Sequence, residues 1–182
     1  MNKHYAAICE YYGDRKAERS GVPLIRHIDE GLCLLDAIGA GKRAMEAFCV
    51  HPLLQDDAAL VEALGPSAVF ARHDVDPMVA VLAMEYRRVA NAYLSHHCKS
   101  DTDEIGCSPL PEVNAMLVAD KVQNRKDFDI HHRGNHPNSA VLQRYFANWL
   151  RRLDISETRY GELVARLERD DVGGQARRLM QQ

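Results

Sequence analysis

Apolar residues recur at helical spacing along almost the whole chain, and no stretch shows the period-two alternation of a half-buried strand. A short aromatic segment over residues 4–12 leads into a polar stretch, 13–21, that carries Asp14, Arg15, Lys16, Glu18 and Arg19. A strong helix is predicted over 24–38, with Ile25, Ile28, Leu32 and Leu35 on one stripe and Gly39 at its end. The next covers 42–51 through Met45, Phe48 and Cys49, and Pro52, which has no backbone N–H, should kink or stop it. Asp56 or Asp57 fits an N-cap for a helix over 58–64 closed by Gly65. A long helix is predicted over 77–94, striped by Val79, Leu82, Tyr86, Val89 and Tyr93. After a polar loop over 99–111, another helix spans 111–128, and a loop rich in His, Gly and Asn reaches Pro137. Two last helices are predicted over 139–153 and 156–169, followed by a loose polar tail, 170–182. The pattern is that of one all-α domain over residues 1–182, a bundle of seven or eight helices, without repeats or low-complexity segments.

Composition agrees with a single core. At 182 residues, with 46% hydrophobic and 27% charged, two independent domains would be cramped. The net charge of −3, from 23 basic against 26 acidic residues, argues against a nucleic-acid partner or an anionic membrane surface. No apolar run approaches the roughly 20 residues of a membrane span, and no charged-then-apolar leader opens the chain, so a cytoplasmic protein is expected. The five cysteines, Cys9, Cys33, Cys49, Cys98 and Cys107, form an odd set and read as free thiols, mostly core residues.

Some residues do not fit a plain helical core. In the 111–128 helix, Val113, Leu117, Asp120 and Asn124 share one face, which changes from apolar to a carboxylate and then an amide. Either the helix emerges into solvent after Leu117, with Asp120 paired to Lys121 or Arg125, or a cation meets the carboxylate inside. His27 sits beside the stripe of its own helix, and His51 follows the apolar run Phe48, Cys49, Val50. Each alone reads as a core histidine bonded to a carbonyl. Together with Asp120 they are three potential ligands on the inner sides of three helices, and neutral imidazole with carboxylate suits a transition-metal ion or zinc.

Other groups compete. His96, His97, Cys98 and Cys107 offer a zinc alternative without any paired C-x-x-C. His131, His132 and His136, with Arg133, form either a solvated loop or a phosphate-facing rim. Leu142, Phe146, Trp149 and Leu153 form an aromatic stripe, either core or a dimer face of a homo-oligomer. No Gly-rich phosphate loop and no G-x-S-x-G elbow is present.

Three stretches in order carry a family resemblance: RSGVPLIRH (19–27), AFCVHPLLQDD (47–57) and LVADKVQNRKDF (117–128). The order resembles the HD-domain metal-dependent phosphohydrolases, most closely the alarmone (ppGpp) hydrolase branch of Rel/SpoT-type proteins. The first is similar to the segment in which a basic residue and a glycine precede a proline, an apolar pair and the first histidine ligand. The second takes the place of the small-apolar-His-Asp-x-x-Glu-Asp motif. The third is similar to the Ala-Asp-Lys/Arg-x-x-Asn segment that supplies the last aspartate ligand, and is the most specific of the three. The chain also resembles phage-encoded relatives.

This resemblance implies an all-helical fold, His27, His51 and Asp120 as metal ligands, Asn124 near a nucleotide's sugar or phosphates, and Arg19 or Lys16 near its base. Lys121, Arg125 and Lys126 would supply further donors to a nucleotide-like small molecule, with Asp56 as candidate acid/base and Gln55 in the place of a family glutamate that positions water. The implied cofactor is a divalent ion, Mn²⁺ ahead of Zn²⁺, Fe²⁺ or Mg²⁺. The chain departs from the family at Pro52, which stands where the dyad aspartate is expected. One anionic ligand fewer should weaken the grip on a hard divalent ion and its activation of water. The expected activity is metal-dependent hydrolysis of a nucleotide or alarmone-like phosphate ester. The alternatives are a degenerate relative that binds a nucleotide or a protein partner without turnover, and a purely structural helical protein that assembles through its apolar surface.

Overall fold

The computed structural model describes residues 2–55, 72–168 and 171–181. The expected all-α class holds: the chain is 67% helical, with eight α-helices and no strand among the described residues. They are α1 (Lys3–Tyr12), α2 (Ile25–Ala37), α3 (Lys42–Val50), α4 (Pro77–Ala92), α5 (Pro111–His131), α6 (Ser139–Arg152), α7 (Glu157–Ala165) and α8 (Val172–Leu179). The predicted helix over 58–64, with its cap at Asp56 or Asp57, lies outside the described residues. None of the described helices is long and apolar enough to cross a membrane.

Local chemistry sets the boundaries. The Asn2 side chain accepts the backbone N–H groups of His4 and Tyr5 at the start of α1, and Asp76 caps α4 just before Pro77. At the end of α2, Gly39 takes φ +71° while Ala40 N–H donates to Leu35 O at 2.9 Å, closing the helix in a turn that favours glycine. Pro52 acts as expected, since α3 stops at Val50 and the chain tightens into a 3₁₀ turn, His51–Leu54.

Helix α5 runs through the middle, packing on α2, α3, α4, α6 and α7. Val113, Met116, Leu117, Ala119 and Val122 of α5 are fully buried, against Ile28, Leu32 and Leu35 of α2 and Phe48 of α3 in one continuous core. One expectation is corrected. The tail is not loose: Val172, Ala176 and Met180, spaced four apart, bury one face of α8 on α2, and Asp171 caps it by accepting the Gly174 N–H. The aromatic stripe of α6 is core, with Trp149 fully buried and Phe146 nearly so, because α6 packs on α5.

Candidate metal centre

Three helical segments bring one side chain each to a common point. His27 projects from the first turn of α2, His51 opens the 3₁₀ turn after α3, and Asp120 lies halfway along α5. Helices α2 and α3 meet closely because Gly31 has no side chain: a Cβ there would collide with the Phe48 ring. The Phe48 ring packs against both imidazoles, at centroid distances of 5.5 Å to His27 and 4.6 Å to His51. One ligand atom from each of His27, His51 and Asp120 falls within 4.8 Å of the others. His27 Nε2 is 3.4 Å from His51 Nε2 and 3.6 Å from Asp120 Oδ1.

The surrounding hydrogen bonds fix which ring nitrogens carry protons. His51 Nδ1 lies 2.7 Å from the carbonyl of Phe48, which can only accept, so Nδ1 holds the hydrogen. Gln123 Nε2 donates to two carboxylates, Glu30 at 3.1 Å and Asp127 at 2.8 Å. The amide must therefore turn Oε1 toward His27 Nδ1, 2.7 Å away, and that nitrogen is a donor as well. Both Nε2 atoms are left with lone pairs that face each other and a carboxylate oxygen. Such a trio needs a cation among its members, either a metal ion or one further proton on an imidazole. Two donors each about 2.1 Å from one ion in near-tetrahedral arrangement stand about 3.4 Å apart, so the two separations from His27 Nε2 suit a shared ion. The described residues thus fit a divalent metal, and the Gln123–Glu30 pair behind His27 is the kind of outer support that orients metal-binding imidazoles.

Electrostatics keep the donors in their binding forms. Burial pushes the His51 imidazolium down to about 3, with His27 adding to the effect, so His51 is neutral. Burial alone would raise the Asp120 carboxyl, but the Lys121 ammonium beside it outweighs that and holds it at about 2. Asp120 Oδ2 sits 2.8 Å from Lys121 Nζ, and Oδ1 accepts from Asn124 at 2.9 Å. Helix α5 therefore does not emerge into solvent after Leu117. Asp120 pairs with Lys121, as one expectation had it, but inside the protein, where both are about nine-tenths or more buried. The rings of Tyr145 and Trp149 cover the ammonium at 5.7 and 5.2 Å.

The trio opens on a cleft of about 390 Å³ that Gln55, Tyr86, Lys121, Asn124 and Tyr145 also line. Tyr86 packs 4.8 Å from the His51 ring, and burial beside the Asp120 carboxylate pushes its phenol well above the ordinary range. Asp56 lies outside the described residues. Arg19 lines a second, adjoining cavity. Some expected substrate contacts lie elsewhere. Arg125 lines neither cavity; it forms two hydrogen bonds to Glu157 of α7 at 2.8 and 2.7 Å, because five residues beyond Asp120 turns it to another face of α5. Lys16 is exposed, its backbone bridged to Pro23, and it too lines neither cavity. His96, His97, Cys98 and Cys107 do not converge on a metal-binding group, among the described residues, so the zinc alternative fails.

Lys126, expected as a donor to the substrate, lines neither cavity and instead pairs with Glu30 and Asp127. Gln123, Glu30, Tyr86 and Tyr145 shape the site without having been singled out for it by sequence. Glu30 has no exposed side-chain surface and is held by Lys126 at 2.6 Å and Arg26 at 2.9 Å. A carboxylate at position 30 and a lysine four residues before Ile130 carry no signal for such a pairing, since Glu and Lys on helices are ordinarily solvated. None of the family models, curated proteins or solved structures compared with the chain matches it. Fold and site define a class by themselves: an all-α protein with a two-histidine, one-aspartate candidate metal centre in a polar cleft.

Proposed function

We propose that this protein is a metal-dependent phosphohydrolase acting on a nucleotide-like phosphate ester, in the manner of the HD-domain enzymes that its sequence resembles. The observation that carries the reading is the meeting of His27 Nε2, His51 Nε2 and Asp120 Oδ1 at the wall of a cleft. These three residues would hold a divalent ion, which when bound polarises a phosphoryl oxygen and lowers the pKa of coordinated water. The rest of the work falls to the chain. Gln123 keeps the proton on His27 Nδ1, and the Phe48 carbonyl does the same for His51, so both imidazoles present lone pairs. Lys121 and Asn124 fix the Asp120 carboxylate and place donors at the cleft wall beside a phosphoryl group. Gln55, at the cleft edge, orients water by hydrogen bonding but takes no proton at neutral pH. Asp56 follows it in sequence and is the candidate acid/base.

Thermal-shift measurements of the full-length chain with divalent ions and nucleotides test the reading, because only ligands that bind the native form stabilise it. Stabilisation by Mn²⁺ and metal-dependent release of phosphate or pyrophosphate are expected. No shift with any ion, together with no turnover of any nucleotide in the presence of Mn²⁺, defeats it. A second reading, binding without turnover, is favoured by Pro52 and Gln55, which replace an anionic ligand and an acid with groups that serve neither purpose. Nucleotide stabilisation that persists in chelator, without product, supports that second reading.

A further inference from the structure

The trio at the cleft wall carries little charge of its own. His27 and His51 each keep their proton on Nδ1, 2.7 Å from Gln123 Oε1 and 2.7 Å from the Phe48 carbonyl respectively, and so present neutral nitrogens. Asp120 brings the one negative charge, and that charge is shared. Its Oδ1 lies 3.6 Å from His27 Nε2, while its Oδ2 is 2.8 Å from the Lys121 ammonium, which is buried with it. Among the described residues no second carboxylate joins the trio, and Pro52, the next residue after His51, has none to give. The rest of the wall does not shift the balance. Its charged members among the described residues are two of each sign, Arg87 and Lys121 against Asp120 and Asp127.

A divalent ion held by the trio therefore brings two positive charges into surroundings whose fixed charges already cancel. Such an excess is costly beside buried groups, where the effective dielectric is low. The compensation has to arrive from the open side of the trio, which is the cleft. There Ser20, Tyr86 and Tyr145 add hydroxyl groups to the amides of Gln55 and Asn124, neutral donors suited to the oxygens of an anion.

We propose that the centre takes up its ion and its anion together: a doubly charged oxyanion, phosphate or the terminal phosphoryl group of a phosphate monoester, supplies the negative ligand that the chain lacks, and Lys121 sets this dependence by neutralising Asp120. The proposal rests on the phosphohydrolase reading and adds a regulation to it. The protein alone holds its ion weakly, the phosphoryl group tightens it, and by reciprocity the ion tightens the phosphoryl group by the same factor. A phosphodiester, with one negative charge, compensates only half of the excess.

The test measures Mn²⁺ affinity of the full-length protein by chelator competition at mildly alkaline pH, alone, with inorganic phosphate and with the singly charged dimethyl phosphate. Phosphate should tighten Mn²⁺ at least about tenfold, and dimethyl phosphate by about threefold at most. Lys121→Gln keeps a donor for Asp120 but removes the ammonium, so it should bind Mn²⁺ alone about tenfold more tightly than the parent, with phosphate adding correspondingly less. Misfolding weakens binding and cannot produce that gain, and a role of Lys121 confined to contacting phosphate would leave the affinity for Mn²⁺ alone unmoved. If the variant does not fold, the two anions on the parent decide the matter. Mn²⁺ affinity within twofold of the parent's own value when phosphate is added, equal tightening by both anions, or a folded Lys121→Gln that binds Mn²⁺ no more tightly, each overturns the proposal and leaves the metal centre standing. Absence of Mn²⁺ binding with and without phosphate overturns both.

Discussion

Replacing Gln123 with methionine keeps the length and volume of the side chain but removes the acceptor that holds the proton on His27 Nδ1. The imidazole is then free to change tautomer or rotate, and the lone pair aimed at His51 and Asp120 is no longer fixed. Loss of such outer support lowers metal affinity by about 10- to 100-fold, equivalent to about 1.4–2.8 kcal/mol. The variant also costs stability, because Glu30 and Asp127 each lose one donor while keeping Lys126, and Glu30 keeps Arg26 as well. That penalty should be about 1–3 kcal/mol. The two effects are separated by titrating the metal-free protein with Mn²⁺ against a chelator and measuring urea unfolding in parallel. Leu163→Ala, a truncation of a fully buried α7 residue, serves as control: it should cost about 2–5 kcal/mol of stability and leave metal affinity alone. Nitrogen chemical shifts of His27 in the metal-free protein give a second readout, with Nδ1 protonated in the parent and a tautomer mixture in the variant. Metal affinity within twofold of the parent, with an unchanged tautomer, refutes the reasoning.

Gly31→Ala should destabilise the fold by about 1–3 kcal/mol in urea unfolding, because its Cβ would meet the Phe48 ring, and it should weaken metal binding by displacing His51 through the Phe48 carbonyl. Stability of the metal-free protein should fall on acidification below about pH 6.5, since the unfolded chain binds a proton that His51, pushed down to about 3, refuses in the fold. Between about pH 6.5 and 3 the slope from this residue should approach 1.4 kcal/mol per pH unit; above pH 6.5 the slope vanishes and the stability is fully present, and denaturant melts of His51→Gln should lack that share. Asp120→Ala leaves the buried Lys121 ammonium without its partner and should cost about 3–5 kcal/mol, whereas Asp120→Asn with Lys121→Met should recover much of that while still failing to bind metal, as read by unfolding and chelator competition.

The helices were legible in the sequence because their apolar stripes repeat at the helical period, and the stop at Pro52 follows from its missing N–H. The short helix α8 was not, since Gly173 and Gly174 depress helix propensity and only Val172, Ala176 and Met180 mark its buried face. At the site, Asp120 stood out as a carboxylate continuing an apolar stripe, and His27 and His51 as histidines beside apolar runs. Their meeting depends on the close approach of α2 and α3 at Gly31, a tertiary fact that spacing does not encode. The buried polar support escaped for a related reason. Gln123 and Glu30 look like solvated helix residues until α2 and α5 pack and bury them together. Arg125 misled because proximity in sequence to Asp120 does not put it on the same face of α5.

The central claim is that His27, His51 and Asp120 share one ion, and Co²⁺ binding to the metal-free protein tests it most directly. Titration should saturate at one ion per chain, with an absorption spectrum of nitrogen and oxygen ligation that is lost in His27→Gln and again in His51→Gln while both variants stay folded. Failure of the parent to bind Co²⁺, or stoichiometric binding with the same spectrum in both variants, contradicts the account.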